Sequence, residues 1–217
     1  MKTRFMWWTG LLLVLTVGAT LLVYGSLPAR IPAHWNAAGA VDAYGPRAGI
    51  FTEPLVMLAL ALLWYWLPVL SPRRFTVDGF EDTWWFGGMA VLGLLAFVQA
   101  MLLWAASGGA LDMGRALACG LGVLMLLLGN VMGKVRRNFW LGVRTPWTLA
   151  DEGVWYATHR LAAKTMVAGG LLAVIAALAR LPAWTGTALV LAGALVPAAY
   201  SLVYYKRMER AGRLGQG

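Results

Sequence analysis

Six uncharged, strongly apolar stretches constrain the fold of this 217-residue chain more than any other feature. A helix needs about 20 mostly apolar residues to cross about 30 Å of hydrocarbon, and backbone amides in lipid must bond within their own segment. The stretches therefore predict an all-α membrane protein with six transmembrane helices. They cover residues 5–29, 54–72, 83–111, 116–133, 165–179 and 181–205.

The fifth stretch, residues 165–179, is the shortest, and Arg180 follows it directly. A long arginine side chain can extend from the apolar region to the polar interface, so this span can be lengthened to about residues 163–181. The fifth stretch is therefore counted as a transmembrane helix, which makes six in total. Their even number predicts that both chain termini lie on the same side of the membrane.

The basic residues fall almost entirely on alternate connections between the apolar stretches. If the N-terminus is inside, 14 of the 18 Lys and Arg residues are inside as well. Only Arg30, Arg47, Arg115 and Arg180 then lie outside. Because cytoplasmic loops carry the excess of Lys and Arg in membrane proteins, this pattern predicts that both termini are cytoplasmic.

Charge and cysteine content argue against several other classes of protein. The net charge of +9 is explained by basic inner loops that attract anionic membrane lipid, so no direct nucleic-acid binding is expected. The single cysteine, Cys119, can form neither an intramolecular disulfide nor a CxxC zinc or redox motif. No cofactor and no bound metal ion is predicted.

The outer connection, residues 28–52, is too long and too patterned to be a simple turn. Its prolines forbid a continuous helix, and its asparagine and glycines favour turns, so the chain is predicted to fold back as extended pieces. Apolar side chains such as Ile31 indicate that the loop lies on the membrane or caps the helices. His34, Asn36 and Asp42 are its candidate polar contacts.

Three interpretations of His34 remain open: a hydrogen-bonded loop residue, a contact for a ligand, or a metal ligand. Stable zinc sites need three or four protein ligands, and no second histidine or cysteine lies nearby. The other histidine, His159, falls on the opposite side of the predicted topology. The metal interpretation is therefore the weakest of the three.

The inner connection, residues 134–164, is the second long one, and it is predicted to contain an irregular segment followed by an amphipathic helix. Pro146 disfavours helical backbone at the residue before it, so residues 138–145 are expected to be irregular or extended. Thr148 followed three residues later by Asp151 is similar to a helix capping box.

The amphipathic helix is expected to begin at about Leu149 and to continue into the fifth span. Side chains three and four residues apart lie on the same helix face. The spacing therefore places Trp155, His159 and Ala162 on one stripe. This stripe is the candidate face of the helix toward the rest of the protein.

Three motifs carry a family resemblance: LPxxIPxHWNxxGxxDxYG at residues 27–45, NFWLGVRTPWTL at 138–149 and VWYATHR at 154–160. On these motifs the chain resembles the SdpI family of bacterial immunity proteins. The first motif resembles the domain of unknown function that is commonly fused to the N-terminus of that family. The resemblance implies an N-terminal membrane domain with two spans at 1–75 and an SdpI-like domain with four spans at 76–217.

The resemblance also implies a function in the bacterial cytoplasmic membrane, namely protection of the cell from a secreted toxic peptide. In the best-known family member, the protein also signals by holding a small winged-helix repressor at the membrane when toxin is bound. The candidate ligand-binding residues of the outer loop are His34, Trp35, Asn36, Gly39 and Asp42. The candidate partner-binding or signature residues are Asn130, Asn138, Gly142, Arg144, Thr145, Pro146, Trp147, Thr148, Trp155, His159 and Arg160.

Arg144 has several roles that the sequence leaves open. Its guanidinium can form paired hydrogen bonds with a carboxylate such as Asp151 or Glu152, or it can stack on Trp147. It can also bind lipid phosphate or contact a cytoplasmic partner. A salt bridge that fixes the loop is the structural interpretation, and contact with a partner is the functional one.

Polar and small residues in the fourth span are expected to hold helices together. Asn130 is expected to be buried and to hydrogen-bond across helices. Gly129 and Gly133 form a GxxxG pattern, whose usual role is close helix packing.

The sequence favours a non-catalytic protein. It contains neither HExxH nor GxSxG, and the apolar stretches contain no paired carboxylates. The alternative from a different class is a small transporter or peptide exporter, although no inverted repeat is visible. A membrane enzyme with an unrecognised site is a third interpretation.

Overall fold

Six long helices account for most of the computed structural model, which describes residues 1–36 and 39–215. They are α1 (Lys2–Tyr24), α2 (Thr52–Trp66), α3 (Glu81–Ala106), α4 (Met113–Met132), α6 (Glu152–Leu178) and α7 (Ala183–Arg210). Each is long and apolar enough to cross a membrane, α2 together with the 3-10 helix Arg47–Phe51 before it. The prediction of six membrane-spanning helices is therefore confirmed. The shorter elements are the strands β1 (Arg30–Trp35) and β2 (Val41–Pro46), the 3-10 helix Arg73–Phe75 and the short helix α5 (Pro146–Ala150).

The inner connection begins its helices differently from the prediction. Thr145 and Thr148 form the capping box, and it starts α5. Asp151 caps the next helix, α6, by accepting a hydrogen bond from the backbone N–H of Val154. The predicted pairing of Thr148 with Asp151 is wrong because the backbone at Asp151 is extended, with φ −138° and ψ 133°, and separates the two helices.

Aromatic side chains hold the first three helices together. Helices α1 and α3 run parallel: Phe5 stacks near Trp85 at one end, and Thr20 accepts a hydrogen bond from Gln99 toward the other. Helix α2 runs antiparallel to α3. Its Trp64 ring stacks on Trp84 with a centroid separation of 4.7 Å and donates its indole N–H to the Trp84 carbonyl.

Small residues hold the last three long helices together. A Cβ atom added to Gly170 of α6 would lie 2.5 Å from the Gly122 carbonyl oxygen of α4, so only glycine allows this approach. Between α6 and α7, the Thr165 hydroxyl donates a 2.8 Å hydrogen bond to the Gly193 carbonyl. The close packing expected of Gly129 is present against Met166, whereas Gly133 has open space around it and is not part of the interface.

The outer connection folds back as extended pieces, as predicted, and these pieces form an antiparallel β1–β2 hairpin. His34 pairs with Ala43 in the register, and Trp35 pairs with Val41. Ile31 is buried and belongs to a small apolar cluster with Leu27, Ile50 and Ala106. The hairpin is therefore anchored to the helix ends rather than projecting freely.

The connections collect at two opposite ends of the helices. The hairpin end contains β1, β2 and the N-terminus of α4, where the structure brings Gly39 next to Asp112. The motif end contains residues 134–151, Met1 and Gly215. There the N-terminal amine lies 3.6 Å from Asp82, and the backbone N–H of Gly215 donates to Asp151. The location of both termini on the cytoplasmic side of the membrane stays a prediction.

Candidate functional site

Asn138 organises the irregular segment at the motif end. Its side-chain oxygen accepts hydrogen bonds from the backbone N–H groups of Trp140 and Leu141, both at 2.7 Å. Its side-chain nitrogen donates to the carbonyls of Arg136 at 2.8 Å and Leu141 at 2.9 Å. The residue is 0% exposed, so all four bonds are sheltered from water. One side chain thus satisfies the backbone of a turn that has no regular hydrogen bonding of its own.

Trp155 and His159 of α6 form the buried base of this segment. Their rings stack with centroids 4.0 Å apart, and both residues are 0% exposed. The Trp155 indole N–H donates to the Val135 carbonyl at 2.8 Å. With Ala162, which is also buried, they form the predicted stripe, and that prediction is confirmed.

His159 links α6 to the loop through both ring nitrogens. Its Nε2 accepts a hydrogen bond from the backbone N–H of Val143 at 3.0 Å, and its Nδ1 lies 2.8 Å from the Trp155 carbonyl. Only the neutral ring with the proton on Nδ1 satisfies both contacts. Gly142 lies directly against this ring with φ 113°, a conformation and a space that exclude a side chain. Neither His159 nitrogen is therefore available to a ligand.

The hydroxyls of Thr145 and Thr148 close the segment at the start of α5. Thr148 donates to the Val143 carbonyl at 2.8 Å and accepts from the Thr145 backbone N–H at 2.9 Å. The Thr145 hydroxyl lies 2.9 Å from that of Ser201 and so connects the motif to α7. Pro146 occupies the first turn of α5, where its missing N–H has no cost.

Arg144 lies on the exposed side of the motif. Its guanidinium donates a 2.6 Å hydrogen bond to the Phe139 carbonyl. In the part of the chain that the structure describes, it forms no salt bridge with Asp151 or Glu152. The salt bridge to a carboxylate, the structural interpretation of Arg144, is therefore not among the contacts of the described residues; the guanidinium instead fixes the loop through the Phe139 carbonyl, and the Asp151 carboxylate accepts hydrogen bonds from the backbone N–H groups of Val154 and Gly215. Trp147, beside it on α5, is half-buried.

Asn130 and Arg160 are the two candidates at this end that lie on exposed faces of the long helices. Asn130 is exposed, so the prediction of a buried hydrogen bond across helices is wrong. The reason is the rotation of α4: Gly129 faces α6, and the next residue is about 100° further around the helix. Arg160 is exposed on α6, next to the buried His159.

The hairpin presents its polar side chains outward. The His34 imidazole Nδ1 lies 2.5 Å from the Asp42 carboxylate across the two strands, and the His34 side chain is 68% exposed. Asn36 shapes the turn by accepting a hydrogen bond from the Ala40 backbone N–H at 3.1 Å. Gly39 donates its backbone N–H to the Asn36 carbonyl at 2.9 Å. Trp35 is half-buried.

The structure therefore does not combine the candidate residues into one site. His34 and His159 lie at opposite ends of the helices. Over residues 1–36 and 39–215, no group of His, Cys, Asp and Glu side chains could hold a metal ion. Two separate surfaces result: an exposed polar pair on the hairpin, and Arg144 with Trp147 on a buried framework at the motif end.

Several residues of this framework were missed from the sequence. Val135 supplies the carbonyl for Trp155, Ser201 contacts Thr145, and the Ser71 hydroxyl accepts the Trp140 indole N–H at 2.6 Å. None belongs to a recognisable motif. Their roles depend on contacts between segments that are far apart in the chain.

Comparisons with known proteins match both parts of the chain. Residues 134–205 match the SdpI/YfhL protein family, and residues 11–58 match a domain of unknown function, DUF1648. The immunity protein SdpI of Bacillus subtilis (strain 168) is 28% identical over 197 residues, which cover 88% of this chain and 90% of that protein. No solved structure matches. The resemblance predicted from the motifs is confirmed, and with the six spans it identifies a multi-pass protein of the cell membrane.

Proposed function

The chain combines an SdpI/YfhL region with a DUF1648 region, and from this we propose that it is a non-catalytic membrane immunity protein that binds a secreted toxic peptide. The observation that carries the proposal is the similarity to an immunity protein over 88% of the chain. This similarity extends over both the hairpin and the motif segment.

The hairpin end is proposed as the surface that meets the peptide outside the cell. The 14 to 4 distribution of basic residues supports an outside location for this end, by the positive-inside rule. Its His34–Asp42 pair is exposed, and the strands beneath it are held by the buried Ile31. A polar pair on an anchored hairpin can donate and accept hydrogen bonds without first becoming ordered.

The motif end is proposed as the cytoplasmic surface that contacts a partner, a small winged-helix repressor in the signalling version of the proposal. Arg144 supports this because its guanidinium has five N–H donors, and within residues 1–36 and 39–215 one of them is engaged, with the Phe139 carbonyl. Residues of the motif end that are buried, such as Asn138 and His159, cannot contact a partner directly. Their proposed role is to hold Arg144 and Trp147 in place.

Protection of a sensitive host tests the proposal. The protein is expressed in cells that are killed by the peptide fraction secreted by strains carrying this gene. We expect survival to rise at least tenfold and to persist when the proton gradient is lowered with an uncoupler at a sublethal dose, because binding needs no flux. No gain in survival would contradict immunity. Protection that declines in step with the gradient would instead identify a peptide exporter.

A further inference from the structure

A cleft at the motif end lies between the end of α4 and the facing sides of α6 and α7. Its volume is about 460 Å³. Its lining includes Gly133, Ala157, Arg160, Lys164, Tyr200 and Tyr204. Neither Arg144 nor Trp147 lines this cleft, so it is distinct from the Arg144 surface.

Two cationic side chains define the chemistry of this cleft. Arg160 and Lys164 are four residues apart on α6, so they lie on one face, one turn apart. Across the described residues 1–36 and 39–215, neither forms a salt bridge. Among the described residues, two Lys or Arg side chains do pair with a carboxylate: Lys206 with Glu209 at 2.8 Å, and Arg115 with Asp112 at 3.3 Å. The cleft therefore concentrates positive charge that the protein leaves uncompensated.

The cleft also has a defined depth relative to the apolar spans. The charge-free stretch of α6 begins at Thr165, directly after Lys164, and that of α7 ends at Tyr205, directly after Tyr204. Tyr200 and Tyr204 stack with centroids 5.5 Å apart on the opposite wall. Tyrosine favours the membrane interface, where its ring is in apolar surroundings and its hydroxyl meets polar groups. The cleft is thus level with lipid headgroups.

We propose that this cleft binds the phosphate of an anionic phospholipid. Arg160 and Lys164 donate charge-assisted hydrogen bonds to the phosphate oxygens, and the acyl chains continue along the apolar surfaces of α6 and α7. The ligand is a lipid rather than a soluble anion because the cleft opens beside the apolar spans. This inference depends on the membrane location of the chain and is independent of the proposed immunity function.

Native mass spectrometry of the purified protein in detergent tests the proposal with two kinds of variant. Arg160→Gln with Lys164→Gln removes the charge, and Gly133→Leu fills the cleft while keeping the charge, because no atom lies within 4 Å of the site of a Cβ at Gly133. We expect each to reduce binding of added phosphatidylglycerol about tenfold or more. Matched controls are Arg73→Gln with Arg210→Gln, which removes equal charge elsewhere at the motif end, and Gly25→Leu, which adds equal bulk in open space.

The controls and competitors show whether affinity comes from the cleft, from the charge of the whole surface, or from binding of a soluble anion. Both controls should bind phosphatidylglycerol as the native protein does, and phosphatidylcholine should bind at least several-fold more weakly. Equal loss in the charge control would show loose attraction to the whole surface and would overturn the proposal. Displacement of the lipid by millimolar inorganic phosphate would overturn it in favour of a soluble anion. If the folded Gly133→Leu variant binds phosphatidylglycerol as well as the native protein does, the cleft is not the binding site.

Discussion

The two ends of the molecule use their polar residues in opposite ways. At the hairpin end, backbone pairing makes the structure, and the His34–Asp42 side chains stay exposed. At the motif end, the side chains make the structure: Asn138 alone forms four hydrogen bonds within a turn. A motif residue at the hairpin can therefore be a direct contact for a ligand. Most motif residues at the other end are part of the fold, and their loss would affect function only through stability.

The largest expected effect is on stability, from Asn138→Ala at the motif end. This change leaves the backbone N–H groups of the half-buried Trp140 and the buried Leu141 without their side-chain partner, at a cost of about 3–5 kcal/mol in the free energy of unfolding. Thermal melting in detergent measures it. The control is Asn130→Ala, which removes an exposed amide from α4 and should change stability by less than about 0.5 kcal/mol. Similar melting temperatures for Asn138→Ala and Asn130→Ala would show that the motif is not a structural framework.

Arg144 tests whether the motif end also makes a contact of its own. Because Arg144 is exposed, we expect Arg144→Lys to change stability by less than about 1 kcal/mol. It should nevertheless impair function nearly as much as Arg144→Ala, since lysine cannot make two parallel hydrogen bonds or lay a planar cation flat on an indole. Reporter expression under the repressor and survival with the peptide are the two measurements. Full activity of a well-folded Arg144→Lys variant would show that function needs only the positive charge of Arg144.

At the hairpin end, the smallest effect on stability is expected. His34→Gln or Asp42→Asn breaks one exposed hydrogen-bonded pair, which contributes about 0–1 kcal/mol. Survival with the peptide should fall for either variant while the melting temperature stays near that of the native protein. If both variants still protect the cell, the peptide does not bind through this pair. A large loss of stability would instead make the hairpin a structural element like the motif.

The features predicted from sequence were those that the bilayer or local geometry imposes. Six spans follow from the length of apolar stretches, and the Trp155–His159 stripe follows from helical periodicity. The burial predicted for Asn130 was wrong, and the salt bridge considered for Arg144 is not among the contacts of the described residues, for a shared reason. The rotation of α4 is set by packing against α6, and the Asp151 carboxylate accepts the backbone N–H of Gly215, 64 residues away. Neither fact can be read from the neighbouring sequence.

The division of roles requires the hairpin end to face outside and the motif end to face the cytoplasm. Single cysteines replace Tyr44 on β2 and Ala150 at the end of α5, both exposed, in a Cys119→Ala background. Intact cells are then treated with a membrane-impermeant maleimide. We expect the cysteine at position 44 to be labelled in intact cells and the one at position 150 only after permeabilisation. Labelling of position 150, and not of position 44, in intact cells would reverse the orientation and contradict the assignment of both surfaces.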